Sequence, residues 1–162
     1  MRIAVSACLL GEACRYDGRS KPCARVQELA ALGHELVPVC PEVAGGLPTP
    51  RTPCEIIRAP WMESEKAHTA DERSWTILDA SGADRTAAYA RGAQAELARA
   101  KEAGCKLAIL KAKSPSCGSR EVYDGTFSGT LVPGWGIAAA TFRDAGITVI
   151  DETADFSRLS QM

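Results

Sequence analysis

Three of the seven cysteines, Cys8, Cys40 and Cys117, stand where an apolar, strand-like run gives way to a loop of glycine, proline and small polar residues. The runs are Ile3-Ala-Val-Ser-Ala-Cys8, Leu36-Val-Pro-Val-Cys40 and Leu107-Ala-Ile-Leu-Lys-Ala-Lys-Ser-Pro-Ser-Cys117. Thiolate is a soft ligand. Three thiolates without a fourth suit either an iron–sulfur cluster with one open iron or a zinc ion with one open position. An open position takes a substrate atom, so the chemistry expected is catalysis. Glu42 follows Cys40 by two residues, placing a carboxylate near that thiol, and Cys117 lies among the hydroxyls of Ser114-Pro-Ser-Cys-Gly-Ser119, which would be poor core fillers. No C-x-x-C or C-x-x-H pair occurs, and the only histidines are His34 and His68, so zinc-finger spacing is absent.

Cysteines this far apart meet only if the fold brings several strand ends to one edge. Ile3 to Cys8 reads as a buried strand, and Pro22 opens a helix that carries Val26, Leu29 and Ala30 to a stop at Gly33. Glu35 to Val39 is a second strand. The prolines and glycines between Pro41 and Pro53 predict an ordered loop without regular helix or central strand. Between Trp61 and Asp79 the pattern is mixed and polar, with Trp75, Ile77 and Leu78 pointing to a short strand. Thr86 is placed to N-cap a helix through Ala103, with Tyr89, Ala93, Leu97 and Ala100 on one face and Gly104 as its stop. Lys106 to Leu110 is a third strand. Asp124-Gly125, set among aromatic and β-branched residues, predicts a tight hairpin turn within Glu121 to Val132. Ile137 to Ala145 then forms a helix stopped at Gly146, Ile147 to Ile150 is a fourth strand, and the last dozen residues are a tail or short helix.

Helices alternating with strands predict an α/β fold. The expected architecture is one Rossmann-like domain over residues 1–162, with a mostly parallel sheet, flanking helices and a hairpin insertion. Strand C-termini lie along one edge of such a sheet, and ligands bind in the crevice outside it.

A chain of 162 residues is long enough to bury a core without disulfide or metal staples, so a metal would be free for chemistry. A formal charge of −1 gives no general attraction to nucleic acid. No apolar run approaches the roughly 20 residues that span a bilayer. The N-terminus lacks a charged region followed by an apolar stretch and cleavage site, which predicts a cytoplasmic protein whose cysteines stay reduced. Cys23 and Cys105 are expected to pack as small hydrophobes.

Several segments together resemble a known family. They are Ser6-Ala-Cys-Leu-Leu-Gly11 with Cys14-Arg-Tyr-Asp-Gly18, and Cys40-Pro-Glu-Val-Ala-Gly-Gly46 with Pro50-Arg51. The third is Leu110-Lys-Ala-Lys-Ser-Pro-Ser-Cys-Gly118 with Gly125-Thr-Phe-Ser-Gly129. In this order, over roughly Met1 to Ile150, they are similar to the small uncharacterised-domain family that includes the thiouracil desulfidases. The resemblance implies a 4Fe-4S cluster held by Cys8, Cys40 and Cys117, with Cys14 in the same first motif as the competing ligand. It further implies non-redox desulfuration of a thiolated pyrimidine, with Glu42 as acid/base and Ser114 as a substrate or proton contact. A free thiobase or thionucleoside is the expected substrate; no RNA-binding domain is evident.

Each assignment has a structural competitor. Glu42 would otherwise cap a turn or pair with Arg51, and Ser114 would close a turn before Pro115. Arg15, Tyr16 and Asp17 either line the pocket or hold a loop together. Lys111 and Lys113 are either solvated or offset cluster charge. Cys54 adds a thiol where the family pattern suggests a small residue. Two other functions use the same features: zinc-dependent hydrolase or thiol chemistry at these cysteines, and a nucleotide- or anion-binding module. Against the second, Gly45-Gly46 and Gly134-Trp-Gly136 match no phosphate-binding fingerprint.

Overall fold

The structure, a computed structural model, describes residues 1–57 and 75–159. Its centre is a four-stranded sheet in the order β2 (Glu35–Val39), β1 (Arg2–Ser6), β5 (Leu107–Leu110), β8 (Thr148–Asp151), with every neighbouring pair parallel. β1 and β5 are the inner strands, and apart from Arg2 they are buried on both faces, which is why they read as continuous apolar runs.

The two faces differ in residue size. Ile3, Val5, Leu107 and Ile109 point to one side, where α1 (Ala24–Ala31) buries Val26 and Leu29 against them. Ala4, Ala108 and Leu110 point to the other, beneath α3 (Thr86–Glu102) and α4 (Ile137–Asp144). There Leu97, Ala100, Ala139 and Phe142 close the layer. Small side chains on both sheet and helices let these layers approach closely. Each fully buried Ile, Leu or Val contributes about 1.5–3 kcal/mol of apolar transfer free energy.

The alternating strands and helices therefore form the α/β sheet that the sequence predicts. Two antiparallel pairs accompany it: β3 (Cys54–Ile57) with β4 (Thr76–Asp79), and β6 (Glu121–Tyr123) with β7 (Leu131–Pro133). β4 contains Ile77 and Leu78, two of the three residues that point to a short strand within Trp61 to Asp79; residues 61–74 of that segment lie outside the described residues.

Three details depart from expectation. Pro41 opens a short helix, α2 (Pro41–Ala44), because proline at the first helical position already has helical φ and needs no N–H partner there. Asp124-Gly125 is no two-residue turn, since residues 124–130 form a longer loop closed by Asp124 N–H on the Thr130 carbonyl. Asp124 Oδ1 instead accepts the Thr126 amide and hydroxyl, an Asx-type turn that competes with the tight hairpin. Finally, Thr86 is not the cap of α3 but its first residue, its hydroxyl accepting from Ile77 N–H while Asp84 takes the Thr86 amide. Residues 151–159 contain turns and no α-helix. Among the described residues, no helix is long and apolar enough to cross a membrane.

Candidate active site

The chain leaves β1 to form β2 on one side, then passes back to form β5 on the other. This reversal opens a crevice beyond the C-terminal ends of β1 and β5, where open α/β sheets bind ligands. Cys8 lies in the 3-10 turn Ala7–Leu10 directly after β1. Cys40 is the residue between β2 and α2, and Cys117 sits in the connection from β5 to β6. Ser6 Oγ, at the end of β1, accepts Lys111 N–H at 2.8 Å and so ties the ends of the two inner strands together.

Four thiols share this edge rather than three. The Cys14 thiol lies close enough to both Cys40 and Cys8 to interact with them. Contact with Cys40 pulls the Cys14 thiol down, but the Cys8 contact, burial and nearby negative charge outweigh it and push it up to about 11. Cys40 is raised further, first by the neighbouring Cys14 thiol and then by burial. Burial pushes Cys117 up to about 12 against the opposing hydroxyls of Ser6 and Ser116. In the metal-free protein Cys14, Cys40 and Cys117 are therefore protonated at neutral pH, and loading a metal must release protons. Among the described residues, no three His, Cys, Asp or Glu side chains converge on one point as a single ion requires. The soft donor set around a shared rim fits a multi-iron cluster, in which each thiolate holds a different iron.

Glu42 stands over this rim on α2. Its Oε1 accepts the Tyr89 hydroxyl at 2.8 Å and Arg51 Nε at 3.1 Å; its Oε2 accepts the Ser116 hydroxyl at 3.0 Å. The carboxylate is thus held from three directions, with its side chain 16% exposed. Arg51 is more deeply buried and donates besides to the carbonyls of Pro48 and Cys14 and to the Thr49 hydroxyl. One guanidinium therefore joins the Glu42 helix to the Cys14 loop. Tyr89 is almost fully buried, and burial together with the Glu42 charge strongly disfavours its phenolate, so the phenol stays a donor.

Two glycines bring Glu42 to Tyr89. A Cβ on Gly92, in the middle of α3, would overlap the Pro41 carbonyl oxygen and lie 2.7 Å from its carbon; one on Gly45 would overlap the Ala88 carbonyl oxygen. α2 therefore rests directly on the backbone of α3, and glycine's helix penalty of about 1 kcal/mol is accepted for that contact. Gly136 does the same for the Cys117 loop, where a Cβ would sit 2.5 Å from the Ser116 carbonyl carbon. Glu96, also on α3, is buried; burial raises its carboxyl against Arg99 and a backbone hydrogen bond from Cys40.

The residues singled out from sequence are thus brought together, with changes of role. Glu42 does pair with Arg51, and it is in the rim as well. Ser114 forms the predicted turn, its Oγ accepting the amides of Ser116 and Cys117 at 3.1 Å each. The hydroxyl that touches Glu42 is Ser116, whose oxygen lies 3.1 Å from Ser114 Oγ and 3.6 Å from Cys117 Sγ. Cys54 packs beside Tyr89, with its own S–H directed at the Thr52 carbonyl. Arg15 pairs with Asp17 within their loop, and Lys111 pairs with Glu152 at 2.7 Å. Cys105 is a core residue and Cys23 packs against the α1 side.

Arg51 was among the partners the sequence offered for Glu42, but Tyr89 and Ser116 were not legible as such. Tyr89 reads as one more residue on an apolar helix face; the usable signal was Gly92 one turn later, a glycine with no reason to interrupt that helix unless another backbone meets it there.

The sequence and the fold agree with known proteins. The sequence model of the 2-thiouracil desulfurase family matches residues 3–154. An uncharacterised protein of Bacillus subtilis (strain 168), YbbK, is 43% identical over 150 residues, covering 93% of this chain and 95% of its own length. The solved structure of the 4Fe-4S-dependent thiouracil desulfidase TudS superposes with a TM-score of 0.77 at 41% identity, over 94% of this chain and 91% of the other. With nearly its whole length inside the family match, and its cysteines and Glu42 gathered at the sheet's ligand edge, the chain belongs to the 2-thiouracil desulfurase family.

Proposed function

We propose that this chain hydrolyses a thiolated pyrimidine base or nucleoside, 2- or 4-thiouracil in the simplest case, to the oxo base and hydrogen sulfide at a 4Fe-4S cluster. The observation that carries this reading is the gathering of Cys8, Cys14, Cys40 and Cys117 beneath a triply held glutamate at the switch point of the sheet. The 4Fe-4S dependence stated for TudS supports the choice of cluster over zinc.

Cys8, Cys40 and Cys117 hold the cluster, each following a different strand, and Cys14 is the fourth thiol, in reach of Cys8 and Cys40. When bound, the cluster supplies one iron with an open position, a Lewis acid that draws electron density from the thiocarbonyl carbon. The remaining work falls to the chain. Glu42, held by two donors on Oε1 and by Ser116 on Oε2, takes a proton from the attacking water, a role that contributes about 10²–10⁴-fold. The Ser116 hydroxyl has one proton and two acceptors, Glu42 and Cys117 Sγ, and Ser114 can donate into it; Ser114 and Ser116 therefore pass a proton between Glu42 and the departing sulfur. Oxygen adds to carbon, the carbon–sulfur bond breaks, and the water protons leave with sulfide or pass to solvent. No electron donor or acceptor is needed.

Anaerobic cluster reconstitution followed by incubation with 2- and 4-thiouracil tests the reading. Uracil and sulfide in equal amounts are expected; a protein with a full cluster that releases neither from any thiobase or thionucleoside contradicts it.

A further inference from the structure

Glu42 is a flexible side chain on a helix of four residues, too short to hold itself in place. What fixes it comes from elsewhere, and the contributions differ in kind. Arg51 belongs to the loop that Glu42 itself organises, and Ser116 belongs to the thiol loop. Tyr89 alone comes from the long helix α3, which is anchored by Ala93, Leu97 and Ala100 in the cores.

Its geometry suits a fixed reference point. The ring is 1% exposed, packed with Cys54, Ile56, Ile77 and Ala93, and has no room to swing. Its hydroxyl reaches Glu42 Oε1 at 2.8 Å, and the opposite oxygen, Oε2, is then the one presented to Ser116. The proton count agrees: a phenol has one hydrogen, the carboxylate has none, so Tyr89 donates and Glu42 accepts. One turn along α3, Gly92 lets the Pro41 carbonyl sit against the helix backbone, so the distance from Tyr89 to α2 is set by backbone on backbone rather than by movable side chains.

We propose that Tyr89 is a positioning residue of the reaction: its hydroxyl acts through Glu42 and fixes which oxygen of that carboxylate is presented to Ser116. Resting on the function proposed above, this adds a role on α3 that the site motifs do not contain. Cys54 packs beside the Tyr89 ring in the same buried cluster.

The test uses the full-length chain with its cluster reconstituted. Tyr89→Phe removes the hydroxyl and keeps the ring. Turnover of 2-thiouracil should fall about tenfold to a hundredfold, the effect of one hydrogen bond to a charged group, with KM and iron content unchanged. In a Glu42→Gln background the same change should cost nothing further, because the group it positions is already lost. Glu42→Asp offers a second route on a partly exposed side chain: its shorter carboxylate falls out of reach of Tyr89, and adding Tyr89→Phe should again leave turnover where Glu42→Asp alone put it. Unchanged turnover in folded, iron-replete Tyr89→Phe, or losses that multiply in both double variants, overturns the proposal. If the unaltered enzyme desulfurates no thiobase, the proposed function fails first; an active enzyme indifferent to Tyr89→Phe refutes the positioning role alone.

Discussion

Gly92→Ala should separate activity from stability. The added Cβ would lie 2.7 Å from the Pro41 carbonyl carbon and 3.0 Å from Gly45 N, with the carbonyl oxygen closer still, whereas ordinary contact begins near 3.4 Å. Neither neighbour is a flexible side chain, so α2 must lift from α3 by more than about 1 Å. The effect on stability is a difference of two terms. Overpacking costs about 1–3 kcal/mol, while alanine's better helix propensity returns about 1 kcal/mol, leaving a net loss of roughly 0–2 kcal/mol. Activity has no such offset. Glu42 rides on α2, and a 1 Å misplacement of a reacting group costs about a hundredfold, equivalent to about 2.7 kcal/mol of barrier. The assay compares kcat/KM for 2-thiouracil, iron content and urea midpoint with those of Gln94→Ala on the exposed face of the same helix. A loss near a hundredfold with retained iron and a small midpoint shift is expected. Full activity in Gly92→Ala would show that the α2–α3 contact does not place Glu42, and the derivation of the site from it would be wrong.

Other outcomes follow from the same structure. Arg51→Ala leaves the Glu42 carboxylate without its buried partner and frees the Cys14 carbonyl; it should lower stability by about 3–5 kcal/mol by urea unfolding, and Arg51→Lys should recover only part because it lacks the fork that bridges both loops. Asp79 has a carboxyl held below its usual range, first by the Ser81 hydroxyl, against burial, with help from the Ala83 and Ser81 amides and Arg85. A depressed folded-state value stabilises above the unfolded value of about 3.9 and is lost as pH falls through the folded one. The gap in Tm between the parent and Asp79→Asn should therefore be constant near neutrality and close on acidification; a gap independent of pH would contradict this. Glu42→Ala should keep the cluster and lose turnover, read by iron analysis and sulfide release on one sample.

How much of this the sequence disclosed depends on the range of the interaction. β1 and β5 were legible because a central parallel strand is apolar on both faces, the edge strands β2 and β8 because they are short apolar runs, and the helix stops were legible at Gly33, Gly104 and Gly146, all with positive φ. Strand ends with cysteines then located the rim. Partners set by tertiary approach were hidden. Nothing near Glu42 in the chain announces Tyr89, 47 positions away, or Ser116, 74 positions away. Ser114 and Ser116 flank the same proline, and only the folded loop shows that the first is spent on backbone amides while the second reaches the carboxylate. β3 was missed because Cys54-Glu-Ile-Ile57 follows a proline-rich stretch and is too short to show periodicity; it forms by pairing with β4.

The central claim is that Cys8, Cys40 and Cys117 hold a cluster on which desulfuration depends. The most direct measurement is iron and acid-labile sulfide content of the anaerobically reconstituted protein and its Cys8→Ala, Cys14→Ala, Cys40→Ala and Cys117→Ala variants, with uracil and sulfide release scored on each. About four irons in the parent and in Cys14→Ala, with iron and activity lost together in the other three, is the predicted result. Full iron and activity in Cys8→Ala, Cys40→Ala or Cys117→Ala would contradict it.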